Sequence, residues 1–496
     1  MSEIRATYSG LISFFVSVIT IFTGLAFSLI ITRTLPIEDF GTWNLILGIL
    51  MYAVIIDPLI SYWITRETAR NEDSQKTAIF SSALLSAGGI VIFLIIALLV
   101  ADESFVNIQV VTLGFILVPG MFLYRILYAI NLGWKPHLSS YGLLISEASK
   151  VPIVLMLVYF FNMGVIGVII AFFIAQNFSI IFQIYVLRNK IKGKIQFKYI
   201  TKWIKLSWLT LYAPLSHLIY RTDILIFTIF SESVTGLAIF AAANVIGNII
   251  TIANSITIPT YAKLLAKDKG KYLKENLTLM LFFTIPLGSI SIVFAKPALF
   301  ALNPVYEGAV VIVIVIVIKG FLSSLINIFQ QYVWGNEDVD INPEIKSKVF
   351  LKSSIFKIPT VKFIDYSGYL IVLVIGLIIL KQNSASELDQ ILFWAITSAM
   401  IQIPLVVYLG NQVRKQLKLT VDVKSVLKYI LTGIVVFSTI SIFTEKFLAY
   451  TDSIFEFLPN LLLFVGISVI GYIVISYMID KRIKNLVNMI IQEVKK

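Results

Sequence analysis

Seven ionisable side chains stand within stretches otherwise apolar enough to cross a bilayer: Asp57, Arg125, Glu147, Lys150, Arg221, Asp223 and Lys319, with His217 close by. A charge in such a stretch is costly, so it faces a cavity, a partner or a water-filled path. Carboxylates there can bind a sodium ion or a proton. Arginine and lysine can hold an anionic group such as a phosphate or pyrophosphate. Either sign can also serve as the structural counter-ion of the other.

Spacing narrows these options. Glu147 and Lys150 stand three apart on one helix face and can neutralise each other. His217 and Arg221 share a face of their helix, which Pro214 can kink, while Asp223 points elsewhere. Arg125 lies near the end of its stretch, where it either snorkels to the interface or reaches inward. Lys319 interrupts GAVVIVIVIVIKGFLSS, and in so apolar a run it is read as facing a lumen. Asp57 precedes Pro58, and three roles stay open to it: counter-ion of an arginine, carrier of a proton or sodium ion, or structural cap at a proline kink. Cations from both halves of the chain favour an anionic ligand.

No catalytic constellation accompanies them. No Gly-rich loop leads into Lys-Ser/Thr, so nucleotide hydrolysis is not expected. The chain has no cysteine and only two histidines, His137 and His217. That excludes disulfides, thiolate chemistry and cysteine metal sites. NEDVDINPE, around Asp338, Asp340 and Asn342, faintly resembles a calcium loop. Pro343 stands where that loop needs glycine and Val349 where it needs a bidentate glutamate, so it is read as a solvated loop. Sequons at Asn177 and Asn276 lie in or beside apolar stretches and carry no weight. No metal and no cofactor are expected beyond a coupling ion, Na+ or H+.

The elements that must position these residues are membrane helices. The chain of 496 residues is 58% apolar and 14% charged, with a mean hydropathy of +0.90. Since about 20 apolar residues cross a bilayer, about 14 spans are expected. They lie near 9–32, 41–63, 77–100, 106–129, 138–160, 165–187, 206–230, 235–258, 276–296, 307–333, 363–380, 388–410, 426–444 and 455–478. The eleventh is the hardest to bound: it starts either near 363 or before Lys357 and Lys362, with Pro359 breaking it. The first is too long for a signal-peptide core and is read as a retained span.

Basic residues collect in every second gap. Arg5; Arg66, Arg70 and Lys76; Lys135; the run from Arg188 to Lys205; Lys263 to Lys274; Lys346 to Lys352; Arg414 to Lys428; and Lys481 to Lys496 fall on one side. The other side holds only Arg33, Lys296, Lys381 and Lys446. Basic loops stay cytoplasmic, so an all-α, multi-pass protein of the cell membrane is expected, with both termini cytoplasmic. The net charge of +12 sits in these flanking loops, which argues against nucleic acid as a partner. Two six-helix lobes are expected at 1–190 and 206–412, joined by a basic linker at 191–205. A further helix pair and tail follow at 413–496. ITRTLPIEDFGTWNLILGI and TIFSESVTGLAIFAAANVI echo each other weakly across the halves, as internal repeats do in transporters.

ITRTLPIEDFGTWNLI resembles the first turn of the polysaccharide-transporter branch of the MOP exporter superfamily, the branch of O-antigen and teichuronic acid flippases. DPLISYWITRETAR resembles that branch's second helix and basic loop, and SESVTGLAIFAAANVIGNIITIANSITIPTYAKL its seventh-to-eighth turn, with Gly236 and Pro259. Leu35-Pro36-Ile37 departs from the usual Leu-Gly-Pro, and 346–362 looks like a lysine-rich insertion. The resemblance spans essentially the whole chain. It implies a flippase, not an enzyme, that carries polyprenyl-(pyro)phosphate-linked oligosaccharide outward by rocking two lobes around a cationic cavity. On that resemblance Arg33 joins Arg221, Lys319, Arg125 and Lys150 as head-group contacts, and Asp57, Glu147 and Asp223 are candidates for ion coupling. Implied partners are the lipid-linked oligosaccharide, membrane lipids, and a polysaccharide polymerase or glycosyltransferases.

Two rivals remain. A MATE-like multidrug or small-molecule antiporter would favour acidic lumen residues. A membrane glycosyltransferase or polymerase would need a sizeable outside loop, whereas gaps such as DESFVN, FNMG and SESV are a few residues long.

Overall fold

The computed structural model of the protein describes residues 3–103, 106–205, 207–254, 269–335, 351–416, 422–485 and 488. Lys263, Lys267, Pro259, Lys346, Lys348, Lys418, Lys495, Lys496 and the loop around Asp338, Asp340 and Asn342 lie outside them. Every regular element among the described residues is helical, the form that satisfies all backbone groups within one segment inside lipid.

In chain order the helices are α1 (Glu3–Thr34), α2 (Ile37–Ala53), α3 (Pro58–Ala69), α4 (Gln75–Glu103), α5 (Ile108–Leu113), α6 (Leu117–Trp134), α7 (Pro136–Val154), α8 (Gly164–Leu187), α9 (Phe197–Lys205), α10 (Ser207–Ser231) and α11 (Thr235–Gly247). Then come α12 (Lys269–Val293), α13 (Ala295–Leu302), α14 (Val310–Gly335), α15 (Ser354–Gln382), α16 (Glu387–Met400), α17 (Gln402–Gln416), α18 (Val423–Phe447) and α19 (Ile454–Ile479). Among the described residues 10 helices are long and apolar enough to cross a bilayer, or up to 12 if each bent pair is one span. α1 and α10, of 32 and 25 residues, stand at the places of the first and seventh expected spans. The chain is a multi-pass, all-helical membrane protein.

Three spans differ from the sequence expectation. The second is broken into α2 and α3, which meet at 67°. Asp57 is the last residue of the turn between them, and Pro58 opens α3, where its missing N–H costs nothing. The ninth is likewise broken, α12 and α13 meeting at 65°. The eleventh begins earlier than 363: α15 runs unbroken through Pro359. The proline lies in the second turn, where the helix tolerates one missing backbone bond, and Lys362 is buried within it.

The chain divides into two compact units, Met1–Ala241 with Pro359–Trp394, and Ala242–Ile358 with Ala395–Lys496. In the first, α6 packs on α3, α4, α7 and α8, and α10 packs on α2, α3 and α4. Ile60, Ile64, Ile126, Ile130 and Trp203 share one buried cluster there. Close approach needs small residues: Gly133 of α6 lies against the Thr65 carbonyl of α3, and Gly41 of α2 against the Val234 carbonyl, with no room for a Cβ. In the second unit α12 packs on α14 and α18, α14 on α17, and α18 on α19. Phe282, Tyr429, Phe437 and Tyr472 form an aromatic core, and the Tyr472 hydroxyl donates to the Phe282 carbonyl at 3.1 Å.

Candidate functional site

The first unit gathers seven of the eight candidate residues into separate constellations; Lys319 lies half-buried in α14, in the second unit. Arg33 is half-buried in the last turn of α1, just ahead of the Pro36 turn.

The backbone stays hydrogen-bonded through the kink between α2 and α3, which leaves the Asp57 side chain buried. Asp57 makes no side-chain capping bond. Its Oδ2 accepts from the Ser61 hydroxyl at 2.9 Å, and the Arg125 guanidinium of α6 stands 3.9 Å away. The aspartate side chain is 6% exposed and the arginine 34%. Thr65 ties the same two helices, its hydroxyl donating to the Ala129 carbonyl at 3.1 Å. Arg125 therefore reaches inward, and Asp57 is its counter-ion. At 3.9 Å the contact is an ion pair without a short hydrogen bond.

On α7, Lys150 donates to Glu147 at 2.7 Å, as their spacing of three allows. The ammonium also lies 4.6 Å from the Phe27 ring of α1 and 6.0 Å from the Phe172 ring of α8. Trp43 of α2 touches both rings, at 6.4 and 5.6 Å. A desolvated ammonium over aromatic faces gains by electrostatic attraction to the ring quadrupole. Lys150 is thus both paired and caged.

The third constellation lines α10, α15 and α16. Asp223 is 3% exposed. Its Oδ2 accepts from the Tyr369 hydroxyl at 2.9 Å and from the Trp394 indole N–H at 3.0 Å, while its Oδ1 is buried without a partner. No cation closes a salt bridge on it among the described residues. Phe227 and Phe240 stack on Trp394 at 4.6 and 3.7 Å and hold the indole in place. One turn away the polar lining continues. Tyr220 packs on Tyr366 and Tyr369, and His217 lies against Tyr366 with Arg221 and Lys362 in electrostatic reach. Arg221 is exposed and on a different face from Asp223, as the spacing predicts.

Sequence reasoning missed half of this seam. Lys362, Asp365, Tyr366 and Tyr369 recur at helical spacing on α15, and Asp365 also has a buried Oδ2 without a partner. With the start of that span open between 363 and a point before Lys357, the stripe was not read. The aromatic cage around Lys150 had no signal, because Phe27, Trp43 and Phe172 come from three helices.

A cavity of about 420 Å³ opens at the end of the first unit where α2, α5, α8 and α11 begin, lined by Glu38, Asp39, Thr42, Asn107, Glu232 and Thr235 among others. Glu232 is engaged by Lys381 at 2.7 Å. Among the described residues no group of three or more His, Cys, Asp or Glu side chains could hold a metal ion.

No family model matches the sequence, and no curated protein does. Solved structures do match the fold. The lipid II flippase MurJ in its inward-closed conformation superposes with a TM-score of 0.64 at 16% identity, covering 95% of this chain and 98% of its own. An inward-facing multidrug resistance MATE transporter of the MOP superfamily gives 0.56 at 11% identity, covering 82% and 98%. A MOP superfamily transporter from Pyrococcus furiosus, described as having a binding pocket of reversed polarity, gives 0.52 at 14%, covering 84% and 96%. The chain has the fold shared by these MOP-superfamily transporters.

Proposed function

We propose that the protein is a flippase, not an enzyme, that moves a polyprenyl-(pyro)phosphate-linked oligosaccharide from the cytoplasmic to the outer leaflet of the cell membrane for surface polysaccharide or glycoprotein synthesis. Two six-helix lobes, 1–190 and 206–412, alternate access around a cationic cavity, with both termini cytoplasmic and a further helix pair at 413–496. The observation that carries this reading is the fold match to a lipid flippase over 95% of the chain. The MATE transporter covers 82%, a difference of about the size of the α18–α19 pair. Intramembrane cations are the second support, because an anionic head group needs them.

Arg33, Arg125, Arg221 and Lys319 hold the head group, with Lys150 released from Glu147 when the substrate is bound. Asp223, buried with one unpartnered carboxylate oxygen, and Asp57 couple transport to Na+ or H+, and Glu147 assists once Lys150 moves. A buried carboxylate without a cation is costly as an anion, and a coupling ion removes that cost. The rival antiporter reading draws on the MATE match and on the acids Asp57 and Asp223, which are buried, and Glu147, which is half-buried.

Deletion of the gene, followed by lipid extraction and mass spectrometry, separates the two. Accumulation of a complete lipid-linked oligosaccharide with loss of the surface glycan is the expected result. An unchanged lipid-linked pool with altered sensitivity to cationic drugs would move the protein to the antiporter class.

A further inference from the structure

The segment 188–205 carries seven basic residues (Arg188, Lys190, Lys192, Lys194, Lys198, Lys202 and Lys205) and no acid. It contains α9, a helix too polar and short to cross a bilayer. One side of α9 is clamped to the first unit: Tyr199 and Trp203 are buried in the cluster with Ile64 and Ile126. Lys202 reaches Glu67 at 2.9 Å, and the Trp203 indole donates to the same carboxylate at 3.3 Å. The nearby acids all lie on this protein side, Glu72 beside Tyr199 and Asp73 against Gly193.

The other side of α9 is uncovered. Phe197 is 71% exposed and Ile204 59%. At about 100° per residue these two point within about 20° of each other. Lys198 and Lys205 lie together on one side of this pair, about 80–100° from Phe197, the position of head groups beside a helix lying in the membrane plane. Trp134, at the same end of the first unit, lies under Lys135 and Lys190 at 4.5 and 5.8 Å. In water the exposed Phe197 and Ile204 would be unexplained, and in hydrocarbon the lysines would be.

We propose that α9 is a binding element for anionic lipids of the surrounding bilayer: Phe197 and Ile204 enter the acyl boundary while Lys194, Lys198 and Lys205 hold phosphate head groups. The partner is a lipid surface, chosen over a soluble acidic protein because the exposed apolar pair lies between the clamped face and the lysines, where a membrane plane meets the first unit. The site is separate from the intramembrane residues and does not depend on what the protein transports.

The chain's lack of cysteine makes a single reporter straightforward. Thr201→Cys, on the exposed side of α9, is labelled with bimane in the full-length protein, reconstituted into nanodiscs of phosphatidylcholine with a quarter phosphatidylglycerol. A spin-labelled quencher is carried on one lipid or the other at equal mole fraction. The expected result is quenching about fivefold stronger from phosphatidylglycerol, falling toward equality in high salt and in Lys194→Gln/Lys198→Gln/Lys205→Gln. Quenching by phosphatidylcholine should persist in that variant, which reports that α9 remains docked. Equal quenching by both lipids in the native chain would overturn the selection of anionic lipid. Absence of quenching by either would place α9 in water or under another protein.

Discussion

Replacing Arg125 by methionine should destabilise the protein by an amount that the geometry around Asp57 sets. Two unit charges 3.9 Å apart interact by about 4 kcal/mol at an effective dielectric of about 20. Arg125 is 34% exposed, so screening removes about half, leaving about 2 kcal/mol. Asp57 is almost wholly enclosed, and the Ser61 hydroxyl offsets only part of an unpaired carboxylate. The expected loss is therefore about 2–3 kcal/mol. Asp57→Asn should restore most of it, because an amide oxygen still accepts from Ser61 and no buried charge remains. The assay is reversible unfolding in mixed micelles with increasing dodecyl sulfate, run on both single variants and the double. A coupling energy of about 1 kcal/mol or more is expected. Strict additivity, with Arg125→Met within about 0.5 kcal/mol of the native chain, would mean that the arginine only snorkels.

Other perturbations test other parts of the structure. Asp223→Asn preserves an acceptor for Tyr369 and Trp394, so abundance and thermal stability should stay near normal while dependence of transport on an ion gradient disappears; retained dependence would remove Asp223 from coupling. Gly41→Ala places a Cβ on the Val234 carbonyl and should cost about 1–3 kcal/mol in the same unfolding assay, whereas Gly24→Ala, with open space around it, should be neutral. Asp422 caps α18 through the Ser425 N–H and pairs with Arg482 at 2.6 Å, and these contacts hold its carboxyl below the usual carboxylate range. Its stabilisation is therefore complete above the usual carboxylate range and is lost as pH falls through the lowered value. Asp422→Asn should flatten that acid limb in a pH series of melting temperatures, and an unchanged limb would assign it to other groups.

The spans were readable because lipid leaves a helix no alternative: among the described residues 10 to 12 of the apolar stretches are helices long enough to cross a bilayer. Breaks were harder to place. Asp57-Pro58 marked the first bend, but a 67° break depends on how α3 packs against α6, which no local pattern encodes. The start of α15 stayed open because lysines and a proline signal an end in water; the helix takes the earlier start and runs through Pro359, with Lys362 buried. The pairing of Glu147 with Lys150 was legible, being local. Arg125 with Asp57, and Asp223 with Tyr369 and Trp394, were not, since those partners lie far apart in sequence and meet only through the rotation of packed helices. What the sequence supplied was the expense of each charge; what the structure adds is the group that meets it.

The flippase reading is tested most directly with the purified protein in liposomes loaded on one side with lipid-linked oligosaccharide recovered from the deletion strain. The fraction reaching the opposite leaflet is then measured with an impermeant glycan-cleaving probe. Native protein should accelerate transfer well above empty liposomes, and Lys319→Ala should abolish the gain at equal reconstituted protein. Transfer no faster than in empty liposomes, with native protein present and a gradient of Na+ or H+ imposed, would contradict it.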